Sequence, residues 1–160
     1  MSIHPIVKMG HPTLRKVASP VTPSDLDHPE MHTLIADMVE TLHDAGGIGL
    51  AAPQIDRPIQ LAIIEVPGGP SRYGDIESIP LTVFFNPVLT VLDPAEAGYW
   101  EGCLSVPGLR GFVHRPQHVR VDYMDITGKP ASLELKGFLA TVVQHEFDHL
   151  AGKLYVDHIR

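Results

Sequence analysis

Cysteine is nearly missing from this 160-residue chain: Cys103 stands alone, so no disulfide can form within it. Basic runs are missing as well. Asp and Glu outnumber Lys and Arg by 19 to 12, a formal net charge of −7. Without clustered cations there is nothing to grip a phosphate backbone, which excludes direct nucleic-acid binding. No apolar run reaches the length that spans a bilayer, so no membrane partner is expected. The first ten residues, MSIHPIVKMG, carry neither the charged n-region nor the long apolar h-region of a secretion signal, and the expected setting is the cytoplasm. Repeats and low-complexity tracts are absent. What is present is ordinary for a globular chain: 44% apolar and 19% charged residues can build a core, and the length suits one domain over 1–160.

Pro12, Pro20, Pro23 and Pro29 make residues 11–29 an extended, turn-rich stretch, in which Thr13 to Val17 form a short turn at most. From Pro29 the period becomes helical: Met31, Leu34, Ile35, Met38, Val39 and Leu42 recur on one face to about residue 44, and Gly46 and Gly47 stop the helix. Gln60 to Val66 and Leu81 to Phe85 read as strands, with Pro67 to Pro80 a polar surface loop between them. Val88 to Leu92 continues the strand pattern. His118 to Met124 alternates, Thr127-Gly128-Lys129-Pro130 turns the chain, and Ser132 to Lys136 returns. After Gly137, Phe138, Leu139, Val142, Val143 and Leu150 repeat at helical spacing until Gly152. The expected fold class is α+β: mainly antiparallel strands around a C-terminal helix that binds metal, with one further N-terminal helix.

Ten histidines is a high count for this length. His4, His11, His28, His32, His43, His114, His118 and His158 stand alone among loop-like residues and are expected at the surface. The other two belong to Gln144-His145-Glu146-Phe147-Asp148-His149, inside the second helix. One turn separates His145 from His149, so both rings project from one face and can share a metal ion, with Glu146 beside it as a base. Two imidazoles are too few for a tight site. Cys103, in Glu101-Gly102-Cys103-Leu104-Ser105, offers a thiolate suited to borderline or soft divalent ions, although a lone cysteine is more often a small buried hydrophobe. Two His and one Cys leave a coordination position open, the pattern of a catalytic ion. A closed structural site would need a fourth ligand such as Asp148 or Asp157. A third segment, Gly47-Ile48-Gly49-Leu50-Ala51-Ala52-Pro53-Gln54, reads by itself as a tight turn of small residues. It matters because the Gln54 amide can donate to a polarised carbonyl oxygen.

Together these segments resemble the signature of the peptide deformylases: G-x-G-L-A-A-x-Q, E-G-C-L-S and Q-H-E-x-D-H, in that order and unsubstituted at their fixed positions. The likeness runs from about Met9-Gly10-His11-Pro12-Thr13-Leu14 to the last residue. It implies a hydrolase that removes the formyl group from formyl-methionyl nascent peptides. On it, Cys103, His145 and His149 are metal ligands, Glu146 is the general base, and Gln54 with the Leu104 backbone N–H stabilises the oxyanion. The implied ion is Fe2+, with Zn2+, Ni2+ or Co2+ able to replace it. The ribosome enters as a candidate partner, although the chain ends at Arg160 without the basic C-terminal helix that docks some family members there.

Phe138, Thr141 and Val142 precede His145 by seven, four and three residues and share its side of the helix, a wall suited to a methionine side chain. The resemblance adds Tyr99 and Trp100 to that pocket, for which plain core packing is the alternative. It also puts Arg110 near the substrate path, while Ile48 and Gly49 can pair with an extended peptide by backbone hydrogen bonds. Glu101 and Arg115 are expected to pair, and Asp148 to face away from the ligands in a structural role. Two other readings exist. A zincin-type peptidase would need a His or Glu ligand beyond His149, where only Asp157 and His158 follow. A metal-bearing binding module would have no need of Glu146 and Gln54.

Overall fold

The computed structural model describes residues 2–71 and 74–159. Two α-helices flank a mostly antiparallel sheet. Helix α1, Pro29–Ala45, begins with proline at its first turn, where the missing N–H costs nothing, and ends on Gly46 at φ 69°. Strand β1 is Gly49–Ala51 and β2 is Leu61–Val66. Strands β3, Gly69–Ser71, and β4, Gly74–Ile76, form a separate small hairpin, within the stretch expected as a loop. Then come β5, Ile79–Cys103, β6, Val106–Met124, and β7, Pro130–Lys136. Helix α2, Phe138–Leu150, follows, and short 3-10 turns at Pro12–Arg15, Pro23–Asp27, Ala52–Ile55 and Tyr155–His158 fill the connections. The main sheet runs β1-β2-β5-β6-β7. No helix among the described residues is long and apolar enough to cross a membrane.

The apolar run of β2 explains the layering. Successive side chains of a strand point to opposite faces, and here Leu61 and Ile63 join Leu34, Ile35, Met38 and Leu42 of α1, whereas Ile64 joins Leu139, Val142 and Val143 of α2. Both faces of the strand are therefore buried, which is why it shows no polar alternation. Phe85 and Phe84 split in the same way.

Strands β5 and β6 differ from expectation. The sequence marks Leu81 to Phe85, Val88 to Leu92 and His118 to Met124, but the two strands pair almost continuously from Phe85↔Met124 to Cys103↔Val106. Beyond residue 86, the only strand that β5 pairs with among the described residues is β6, and β6 pairs with β7 from His118 onward. This outer ribbon faces only the small cluster of Val106, Val113, Leu154 and Tyr155, and the positions it buries between 111 and 115 are Gly111, Val113 and Arg115, so no apolar alternation marks it. Pro94, Pro107 and Pro116 fit its unpaired edges and its bulges. At its tip Leu104 and Ser105 make the turn between Cys103 and Val106.

The end of α2 is tied to the N-terminal segment: Ala18 N–H donates to Leu150 C=O at 2.9 Å. Gly152 lies there at φ +75°, and a Cβ on it would come within 2.7 Å of the Arg15 carbonyl oxygen. Substituting Gly152→Ala combines left-handed strain with a backbone clash and is expected to cost roughly 1–3 kcal/mol. That cost should appear as a lowered urea midpoint with an unchanged slope; an unmoved midpoint would show that the Arg15 segment yields freely.

Candidate metal centre

Three side chains from two elements meet at the tip of the β5–β6 ribbon. Helix α2 presents His145 and His149 with ring centroids 5.2 Å apart. Cys103 closes β5, and its Sγ lies 3.5 Å from His149 Nε2. One ligand atom from each of the three falls within 4.8 Å of the others. Tetrahedral coordination at ordinary metal–sulfur and metal–nitrogen lengths separates S from N by about 3.6 Å. The spacing therefore fits a single ion, and a thiolate with two imidazoles is a donor set for a borderline divalent metal.

The imidazoles are prepared for such a role. His145 Nδ1 meets Glu101 Oε1 at 2.9 Å, which puts the ring proton on Nδ1 and leaves Nε2 to face the thiol. Glu101 is held in turn by Arg115 through two bonds, at 2.7 and 3.0 Å, and Arg115 also reaches Asp148 at 2.8 Å. Asp148 accepts a further contact from His158 at 2.9 Å. The Tyr155 ring lies nearly parallel to His145, 23° off and 6.0 Å away, so the imidazole is fixed in its plane and across its face.

Burial alone would depress the His145 pKa, but its hydrogen bonds to Cys103 and Glu101 and the charges of Glu146 and Cys103 outweigh it, and the value is pushed up to about 10. The surroundings of His145 thus favour positive charge. His149, buried and close to His145 and Arg115, is held well below the ordinary histidine range and stays neutral.

Glu146 is 5% exposed, and its Oε2 has no hydrogen-bond partner. Burial, with some help from Glu101, pushes its pKa up to about 7, against the opposing pull of His145 and Arg115. Gly49 makes room for it: a Cβ there would sit 2.7 Å from both Cγ and Cδ of Glu146. The close approach expected at Gly49 is thus partly filled by the chain's own carboxylate. Gln54 is fully buried in the turn after β1, with Oε1 accepting from Ala51 N–H at 2.9 Å and Nε2 aimed at Ser105 Oγ, 3.1 Å, and Cys103 Sγ, 3.6 Å.

A cavity of about 630 Å³ opens above these groups. Ile48, Gly49, Gln54, Trp100, Cys103, Leu104, Arg110, Phe138, Val142, His145 and Glu146 all line it, as does Thr141. His149 and Tyr99 are not among its lining residues. Tyr99 packs edge-on against Phe138, 5.7 Å between centroids, behind the wall that Phe138 forms. Trp100 is 56% exposed at the rim, and its carbonyl accepts from Arg110 at 3.1 Å. Val106 and Leu109 also line the cavity. They were invisible in the sequence because the ribbon that carries them was. Tyr155 was missed for another reason, since it bears neither a charge nor a motif spacing that separates it from packing residues; Ser105 stands in the E-G-C-L-S motif but was given no part in the site.

A family model described as polypeptide deformylase matches residues 3–160. Peptide deformylase 2 of Pseudomonas syringae pv. tomato is 48% identical over 157 residues, covering 98% of this chain and 87% of that one. Peptide deformylase 1 of Bordetella pertussis is 49% identical over 158 residues, 99% of this chain and 88% of the relative. Among solved structures, a class I type b peptide deformylase from Acinetobacter baumannii bound to Met-Ala-Ser superposes with a TM-score of 0.92 at 35% identity, covering 99% of this chain and 100% of that one.

Removing a ligand and removing a neighbour should separate cleanly. Cys103→Ala is expected to purify with most of its metal lost, because a first-row ion is then held by two imidazoles only. Glu146→Gln keeps shape and all three ligand atoms, so its metal content by atomic absorption should match wild type; a metal-free Glu146→Gln protein would make the carboxylate itself a ligand.

Proposed function

The chain belongs to the polypeptide deformylase family, and we propose that it hydrolyses the formyl amide of N-terminal formyl-methionine on newly made polypeptides, with residues 1–160 acting as one catalytic domain. The observation that carries the reading is the convergence of a Cys-His-His donor set, a carboxylate oxygen without a partner and a buried amide donor beside one cavity, which Cys103, His145, Glu146 and Gln54 line.

In this reading Cys103, His145 and His149 hold a divalent ion, and their thiolate and two imidazoles suit Fe2+, Co2+, Ni2+ or Zn2+. Among these we assign the working role to Fe2+. When bound, the ion supplies Lewis acidity, easing deprotonation of water and polarising a carbonyl. The chain's own groups do the rest. Glu146 accepts the proton of the attacking water, a task matched by a pKa raised to about 7. As the water oxygen bonds to the formyl carbon, charge collects on the carbonyl oxygen, where Gln54 Nε2–H and the Leu104 N–H donate to it. The C–N bond breaks, Glu146 returns its proton to the departing amine, and formate leaves. Phe138, Thr141 and Val142 offer the apolar wall for the methionine side chain, and Ile48 and Gly49 the backbone for pairing with the peptide. Arg110 and Trp100 flank the exit toward later residues. Nascent formylated chains place the work in the cytoplasm.

An anaerobic assay on formyl-Met-Ala-Ser, with metal analysis of the same sample, tests the reading. Formate release is expected from wild type and a loss of at least 10²-fold in kcat from Glu146→Gln. Formyl-Ala peptides should react more slowly by on the order of 2–3 kcal/mol in kcat/KM, the worth of the buried side-chain groups they lack. Equal rates on the two substrates would dismiss the pocket, and absence of formate would dismiss the activity. Iron-loaded protein should lose activity in air because thiolate and ferrous ion both oxidise, whereas nickel-loaded protein should persist; equal lifetimes would count against iron.

A further inference from the structure

Gln54 can serve as an oxyanion donor only if its carboxamide is turned the right way round. A backbone N–H can only donate, so the atom that meets Ala51 N–H at 2.9 Å must be Oε1, and Nε2 must point the other way. That first bond fixes which end faces the cavity but leaves the amide free to swing about it. The second bond, from Nε2 to Ser105 Oγ at 3.1 Å, removes the swing. It also takes up one of the two Nε2 hydrogens, so that the other lies on the side of Cys103 Sγ, 3.6 Å away. Both partners are buried, Gln54 at 1% and Ser105 at 0% exposure, so no water competes for the bond.

The backbones of the same two residues are held by one strap. Val7 N–H donates to Gln54 C=O and Met9 N–H to Ser105 C=O, both at 2.8 Å. Three residues of chain thus bridge the turn that carries Gln54 and the turn that carries Leu104 and Ser105. The strap is itself anchored upstream, where Ser2 N–H and the His4 ring bind Asp37, at 2.7 and 2.8 Å, and His4 N–H binds Thr41 Oγ1 at 2.9 Å.

We propose that Ser105 is a positioning residue for the oxyanion donor: its hydroxyl locks the Gln54 carboxamide with Nε2 toward the reacting carbonyl, and the Val7–Met9 strap keeps the two in register. This rests on the deformylase reading above. Ser105 touches neither substrate nor metal, and its effect on rate passes wholly through Gln54.

The test is a double-mutant cycle on metal-loaded protein, with formyl-Met-Ala-Ser as substrate. Ser105→Ala is expected to lower kcat roughly tenfold, as a donor loosened by a fraction of an ångström would. KM should change by less than about twofold, since the bond matters only as charge develops. Metal content should not change. Ser105→Thr, which keeps an oxygen at the γ position, should recover most of the rate. In a Gln54→Ala background, Ser105→Ala should cost nothing further. An equal loss in that background, or an undiminished kcat in the single variant, overturns the proposal. Should the alanine variant not fold, Ser105→Cys keeps the volume and weakens the acceptor, and the same comparison applies. A readout independent of turnover is the pair of Gln54 side-chain N–H signals in nitrogen-15-labelled, zinc-loaded protein: sharp and distinct in wild type, broadened or merged in Ser105→Ala. Unaltered signals would overturn the proposal even if the wild-type protein released no formate, so its failure is distinguishable from failure of the deformylase reading.

Discussion

Arg115 carries its charge into a place where charge is expensive. It is 5% exposed, and so nearly is Glu101 beside it at 6%. Burial works against the ionised form of each, yet the Glu101 carboxyl is held below its ordinary range by His145 and Arg115, and the guanidinium is held charged by Glu101 and Asp148. Two planar bonds from Arg115 to Glu101 and a third to Asp148 join the outer ribbon to helix α2. Glu101 then spends its remaining capacity on His145 Nδ1. Removing one partner of such a pair typically costs about 3–5 kcal/mol, because the other charge is left buried and alone. The orientation of His145, and with it the whole donor set, depends on this joint.

Much of the molecule could be read from its residues, and the gaps follow a physical line. Helices α1 and α2 were legible because each buries one face against the sheet, and a buried face prints its period on the sequence. Their stops were legible through Gly46 and Gly152, both in left-handed conformations. Strand β2 was legible through its unbroken apolar run. The ribbon from Asp93 to Gln117 was not: where it does alternate, the buried positions are Gly111, Val113 and Arg115 and the exposed ones include Phe112, so the alternation is not written in apolar and polar side chains. Residues with chemical identity, such as Cys103, His145, Glu146 and Gln54, announced themselves by type and spacing, and they do meet around one cavity, with His149 just beneath it. Val106, Leu109 and Tyr155 carry no such mark. Val106 and Leu109 owe their place to the path of a ribbon that local pattern does not encode, and Tyr155 to the short turn that follows α2.

Gly49 and Glu146 show how closely fold and chemistry are interlocked here. The carboxylate is kept free of hydrogen-bond partners at Oε2 and pressed against a backbone that has no side chain to give way. A buried carboxyl with one oxygen left without a hydrogen bond is a stability cost that a purely structural position would not retain. The same desolvation brings its proton affinity near neutrality.

The ribbon geometry also orders events during synthesis and folding. Cys103 and Val106 close a local hairpin, but His145 lies some forty residues further along, and Glu101 cannot be neutralised on that side until α2 has docked. Contacts of long sequence separation form late, because the entropy of the closing loop must be met before they reward it. The three-ligand site therefore comes into existence only as the last helix settles. An ion that binds only the finished arrangement draws the equilibrium toward it by mass action. Metal uptake by this chain is in that sense a report that its folding is complete.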